Sequence, residues 1–165
     1  AKILTIYEGT TAIQANDLVG RKTARDGGQT AKGIAAQVAE TEAALVASGS
    51  AQALAVAKRL KAAREAFLDV VDFVAGKTKA EPNAVFAGSV PYLMLAGNLV
   101  AGWQLARSLR VAEEQLAAGV DTAFMQAKIA TAHFYAEHLL NKAPGIRDSI
   151  VDGAASVTAL ALESF

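Results

Sequence analysis

The chain contains no cysteine. Disulfide scaffolds, thiol nucleophiles and cysteine-ligated metal centres are thereby excluded, and the absence fits a reducing compartment. Proline is scarce, at 3 in 165 residues. Because proline is the residue that interrupts helices, its scarcity leaves room for long ones. An excess of either charge is also missing: 16 Lys and Arg balance 16 Asp and Glu. A nucleic-acid backbone is neutralised by a basic surplus, so no nucleic-acid partner is expected. Residues 1–20 lack a basic stretch followed by an apolar core, so no secretory leader is read there. Neither G-x-x-x-x-G-K-[ST] nor G-x-G-x-x-G occurs. "GRKTARDGG" at 20–28 matches neither, so the chain offers no nucleotide-binding loop of its own.

What is present is hydrophobic and alanine-rich: 53% of the residues are apolar. Alanine is the best helix former, and 165 residues suffice for one domain with a real core. The reading is therefore all-α. Thr10 or Thr11 caps a first helix, which ends by "RDGGQ" at Gly27 and Gly28. A helix over 29–47 is followed by a break at "SGS", with Ser50 as the next cap. Over 51–76, Leu54, Ala57, Leu60, Ala63, Phe67, Val70, Val71 and Val74 recur at steps mostly of three and four, an amphipathic stripe. Pro82 suits a first helical turn. The pattern over 83–118 contains Pro91, which predicts a kink or break near 88–91. Asp121 or Thr122 caps a helix running to about 141, "KAPG" ends it, and 146–162 gives a short final piece interrupted by Gly153. Four long amphipathic stretches with short connections read as an up-down helical bundle, preceded by a loop and a helix. The expected division is 1–25 and 26–165.

Residues 82–106 carry no formal charge over 25 positions, enough to span a bilayer. Asn83, Ser89, Asn98 and Gln104 interrupt the run, and such polar groups are costly in lipid, so a buried helix is expected and no membrane span. In "HFYAEH", His133 and His138 are five apart and diverge by about 140° on a helix, so no metal site is expected; His133 and Glu137 share a face and pair. Lys58, Arg59, Lys61 and Arg64 read as a solvated basic face. Trp103 and Tyr92 read as core.

"YEGTT", residues 7–11, is the remaining feature. Glu8 suits a general base whose proton affinity is raised by burial. Gly9 permits close approach of a ligand to the backbone, and the N–H groups at the following helix start favour anions. A surface glutamate favoured by the helix dipole satisfies the same pattern.

The segment "AKILTIYEGTTAIQANDLVGRK", residues 1–22, resembles the end of the catalytic core of the acyl-CoA dehydrogenase family, where an I-Y-E-G-T segment joins two helices. The resemblance implies that Glu8 takes the α-proton of an acyl-CoA thioester while FAD accepts hydride from the β-carbon. It places Gly9 at the substrate contact and Thr10 and Thr11 at flavin contacts. Ala12 departs from the polar residue that many members carry there. Residues from about 30 onward resemble the extra helical domain of a larger bacterial subgroup, the 3-methylmercaptopropionyl-CoA dehydrogenase type. The division then becomes the end of the catalytic core (1–25) and an appended bundle (26–165). Electron-transfer flavoprotein and a homo-oligomeric assembly are the implied partners; the absence of cysteine, for its part, fits the cytoplasm. The chain begins within an apolar pattern and without Met, which reads as a fragment. The family's N-terminal helical and middle β-domains are not in it, so the fragment alone is expected to be inactive, with little hold on FAD and with Glu8 more exposed than in a whole enzyme. The alternative reading is a helical interaction or oligomerisation module with no catalysis of its own.

Overall fold

A computed structural model of the chain describes Lys2, Ile6, residues 9–157 and residues 159–164, the side chain of Leu162 excepted. Among these residues there are helices and turns and no strand.

Thr11–Asp17 (α1) continues without a break into a π-helical stretch, Leu18–Ala24. Ala15 and Val19, one turn apart, are buried and tie this rod to the rest. Two residues then turn the chain: Gly27 and Gly28 have φ of 66° and 81°. At Gly28 space as well as conformation demands glycine, since a Cβ would lie 2.6 Å from Val71 Cγ1. Asp26 supplies the cap of the next helix, its carboxylate accepting from Gly28 N at 2.9 Å and Thr30 N at 3.0 Å. The Thr30 hydroxyl, followed by these backbone bonds, holds its carboxyl below the usual range.

The next helix, Gln29–Ser48 (α2), is followed by Ala51–Lys77 (α3), capped as expected by Ser50, whose Oγ accepts from Ala53 N at 3.0 Å. The α3 stripe runs through the core as predicted, with one correction: Leu54 is exposed and Val56 is buried instead. Pro82 opens the short helix Pro82–Ala87 (α4). The predicted interruption near 88–91 falls at Gly88, where a Cβ would press to 2.8 Å of Ile150 Cγ2. Pro91 lies in the first turn of Ser89–Ala117 (α5), where its missing N–H has no helical partner to lose.

Asp121 precedes Thr122–His138 (α6) with φ 40°, but neither it nor any other side chain caps that helix. A 3-10 turn, Leu140–Lys142, leads into Ala143–Val151 (α7). "KAPG" therefore starts a helix, because Pro144 fits a first turn as well as it stops a preceding one. The predicted final piece is divided at Asp152–Gly153 between α7 and the short helix Ala154–Val157 (α8).

Side-chain pairs fix the directions. Lys32–Asp72 and Glu42–Arg64 make α2 and α3 antiparallel. Thr41–Trp103 and Ser48–Glu113 make α2 and α5 parallel. Arg59–Glu137 and Asp69–Arg147 join α3 to α6 and α7 with the same offset in sequence, so α6 runs with α3. This is the up-down arrangement expected from four long amphipathic segments. At its centre α3 packs on α5: Leu60, Val70, Leu95, Leu99 and Leu109 are fully buried, and Tyr92 stacks on Phe67 with ring centroids 5.9 Å apart. Gly102 lets α5 approach the 140–142 turn, since a Cβ there would lie 2.6 Å from Leu140 Cδ1.

Candidate functional site

Glu8, the predicted base, lies outside the described residues, as does Tyr7 beside it. The three residues that follow are described. Gly9 forms a bend with φ 74°, a conformation that L side chains rarely adopt, and a Cβ there would meet nothing within 4 Å. Thr10 precedes α1 and its carbonyl accepts from Gln14 N at 2.9 Å, but its hydroxyl makes no capping bond. The predicted side-chain cap is thus replaced by backbone bonding alone. Thr11 is the first helical residue and is exposed. The structure therefore brings Gly9, Thr10 and Thr11 together at an open end of α1. The first-turn N–H groups of that helix have no intrahelical partner.

Behind this open end the helix is firmly seated. Val19 belongs to the main core cluster, and Gly20 faces the Phe86 ring at 3.8 Å from an ideal Cβ. In the π-helical stretch the Thr23 hydroxyl and the Tyr92 hydroxyl are 2.9 Å apart and both residues are buried. Burial pushes the Tyr92 phenol up, and the Thr23 bond offsets part of that. On the outer face Asp17 pairs with Arg21 and Lys22, and the Arg21 bond holds its carboxyl low. Position 9 is thus the tip of a rod anchored from residue 15 to residue 23. The carrying contact, between positions 23 and 92, has no short-range sequence signature.

The other candidates resolve into structural roles. The basic cluster is not one solvated face. Arg64 makes two hydrogen bonds to Glu42, at 2.7 and 3.0 Å, and Arg59 binds Glu137 at 2.8 to 3.3 Å. These bonds raise both guanidinium groups and hold Glu137 low. The predicted His133–Glu137 pair is replaced by Arg59–Glu137, because a guanidinium presents a planar fork that a histidine lacks. His138 stacks on Phe134, with centroids 4.5 Å apart, and no metal-binding group of three His, Asp or Glu occurs among the described residues. Tyr92 is core as expected. Trp103 is half-buried, its indole N–H donating to Thr41 Oγ1 at 2.8 Å with Arg107 over the ring at 5.6 Å. Among the described residues no helix is long and apolar enough to cross a membrane. The charge-free run 82–106 is split between α4 and α5, one side of which is buried and the other exposed at Met94, Gly97 and Val100.

Residues 30–161 match the family described as acetyl-CoA dehydrogenase C-terminal like. The chain is 49% identical over 162 residues to a 3-methylmercaptopropionyl-CoA dehydrogenase of Ruegeria pomeroyi, covering 98% of this chain and 27% of that protein. It is 34% identical over 166 residues to the broad-specificity linear acyl-CoA dehydrogenase FadE5 of Mycobacterium tuberculosis, covering 91% of this chain and 26% of that protein. The chain spans about a quarter of the length of these curated relatives.

Proposed function

This chain belongs to the acetyl-CoA dehydrogenase C-terminal like family, and on that premise we propose that it is the C-terminal part of an acyl-CoA dehydrogenase. The observation that carries the reading is the 49% identity across nearly the whole chain to a protein named for that activity. In this reading residues 1–25 end the catalytic core and 26–165 form the appended bundle. The reaction is α,β-dehydrogenation of an acyl-CoA thioester, with FAD supplying the hydride acceptor and electron-transfer flavoprotein drawing the electrons off. The enzyme works as a homo-oligomer in the cytoplasm.

Glu8 removes the α-proton. Gly9 gives the thioester close access to the backbone, and the open space beside it supports that role. Thr10 and Thr11 contribute flavin contacts from the start of α1. Their fit to a flavin is partial. They present one exposed edge, and the larger grooves among the described residues are lined by others. For that reason the isolated chain binds FAD weakly and lacks turnover. The bundle's contribution is mechanical: Val19 and the Thr23–Tyr92 bond hold the rod on whose tip the base-bearing segment sits.

The test is Glu8→Gln in a whole enzyme containing this segment. Turnover falls by about 10²–10⁴-fold, the range for loss of a general base, while flavin absorbance is retained. An unchanged rate overturns the assignment of the base. A second reading, a helical interaction module, is favoured by the exposed apolar side chains Val46, Leu54, Phe124 and Phe134. It requires that the number of subunits in the assembled enzyme change when residues 30–165 are removed.

A further inference from the structure

α2 and α3 lie antiparallel, and the outer face of this hairpin is left uncovered. Along α2 the exposed residues Ala36, Glu40, Ala43 and Ala47 recur at steps of four, three and four. Along α3 the exposed residues Leu54, Lys58, Lys61 and Glu65 recur at the same steps. Such spacing keeps each set on one side of its helix. The α2 stripe is small apart from one carboxylate. The α3 stripe is long, with two ammonium groups at its centre. Between the stripes runs a groove of about 500 Å³ whose lining includes Ala39 and Ala57. Val46 and Leu54 beside it are 58% and 45% exposed.

The charges of this face find little use within the fold. Glu40 and Lys58 form no ion pair within 4 Å among the described residues, and Lys61 reaches only Glu65, at 3.9 Å. Glu42 and Arg64, by contrast, hold each other. One face thus carries both halves of a charge match, an acid on the small stripe and bases on the long one. A two-fold interface requires such a self-complementary surface. Size agrees, since small contact residues let a facing helix approach closely. The register agrees too. The Lys32–Asp72 and Glu42–Arg64 pairs put Ala43 level with Lys61. A two-fold axis normal to the face at that level lays α2 of each copy along α3 of the other, in the same direction. Because both stripes share one stepping, Ala36 then meets Leu54, Glu40 meets Lys58 and Ala47 meets Glu65. The 20 residues of α2 span about 30 Å. Two adjacent helices are about 20 Å wide, so the face offers about 600 Å² per copy. Both copies together bury about 1,200 Å², the lower end of specific interfaces.

We propose that the outer face of the α2–α3 hairpin binds the same face of a second copy of the chain, with Glu40 of each copy against Lys58 of the other. This contact is the surface that the interaction-module reading calls for, and it rests on that reading. None of Glu8, Gly9, Thr10 or Thr11 takes part in it.

Sedimentation equilibrium of the 165-residue chain, from about 10 μM to about 1 mM, is expected to show a reversible monomer–dimer equilibrium. Glu40→Lys and Lys58→Glu each weaken the dimer about tenfold, since symmetry makes each turn two attractive contacts repulsive. The double exchange of Glu40→Lys with Lys58→Glu restores it. Ala43→Arg puts a long charged side chain at the two-fold axis and abolishes dimerisation, and the exposed position leaves the circular dichroism at 222 nm unchanged. Phe134→Arg, on the exposed side of α6, leaves the dimer intact. A chain that stays monomeric throughout, a dimer that survives Ala43→Arg, or charge variants that the double exchange does not repair overturns the proposal. A dimer broken by Phe134→Arg and not by Ala43→Arg overturns this surface and leaves the module reading in place. That reading falls only if removing residues 30–165 leaves the number of subunits in the whole enzyme unchanged.

Discussion

Exchanging Arg64 or Glu42 for alanine is expected to give unequal losses, and the inequality follows from chain length and burial. The two side chains form a forked pair with two bonds, and their side chains are 17% and 10% exposed. Breaking a fully buried ion pair costs about 3–5 kcal/mol, and an exposed pair is worth about 0–1. This pair sits nearer the buried limit but retains an opening to solvent, which lowers the expectation to about 2–3 kcal/mol for the worse truncation. Glu42→Ala frees Arg64, whose long side chain swings its guanidinium into water, so that loss is about 1 kcal/mol. Arg64→Ala strands Glu42, whose short side chain has no comparable escape, and it takes the larger loss. In a chain of this size 1 kcal/mol corresponds to about 2–4 °C in Tm. Urea unfolding followed by circular dichroism at 222 nm measures both variants and the double mutant. The double mutant is expected to be no worse than Arg64→Ala, because it removes the stranded charge. A larger loss for Glu42→Ala than for Arg64→Ala, or a coupling energy below about 0.5 kcal/mol, refutes the reasoning.

Other outcomes follow from individual contacts. Gly28→Ala combines a strained φ of 81° with a 2.6 Å approach to Val71, and it should cost about 2–4 kcal/mol in the same unfolding assay. Ser50→Ala removes the α3 cap and should cost about 1 kcal/mol, with part of the loss from the freed Glu113, whose carboxylate both Ser48 and Ser50 reach. The Tyr92 phenol is raised on folding, so its stabilising share is full below pH 10 and is lost as pH climbs through the folded value. Tyr92→Phe should flatten that alkaline limb of a stability-against-pH curve. The Asp26 carboxyl is lowered, so its cap contributes above about pH 4 and fades as pH falls through the folded value. Asp26→Asn should reduce the acid sensitivity measured by circular dichroism.

Much of the architecture is legible one helix at a time. The 51–76 stripe, the breaks at Gly27–Gly28 and Ser48–Ser50, the Ser50 cap and the Pro82 start are local signals, set by spacing and by what one residue's backbone allows. Local signals fail where two elements compete for the same residues. Proline can stop one helix or open the next, and at Pro144 and Pro91 the outcome depends on what the flanking turns pack against: Gly88 on Ile150, Gly102 on Leu140. The exchange of Leu54 for Val56 follows from helical spacing itself, because Val56 lies on the buried stripe and Leu54 roughly 140° from its centre. Of the candidate site, "YEGTT" is visible in sequence because consecutive residues carry it. The contact that seats its helix is not visible, because Thr23 and Tyr92 are 69 residues apart.

The sequence by itself determined the helical class, the extent of the long helices and the family. Alanine content, apolar periodicity and a run of matching residues are properties of the chain read in order. Only the tertiary structure decided which charges are paired, that Pro144 opens a helix as well as following one, and which side of the uncharged run is buried. Those outcomes depend on burial and distance between segments far apart in the chain, and no local pattern encodes them.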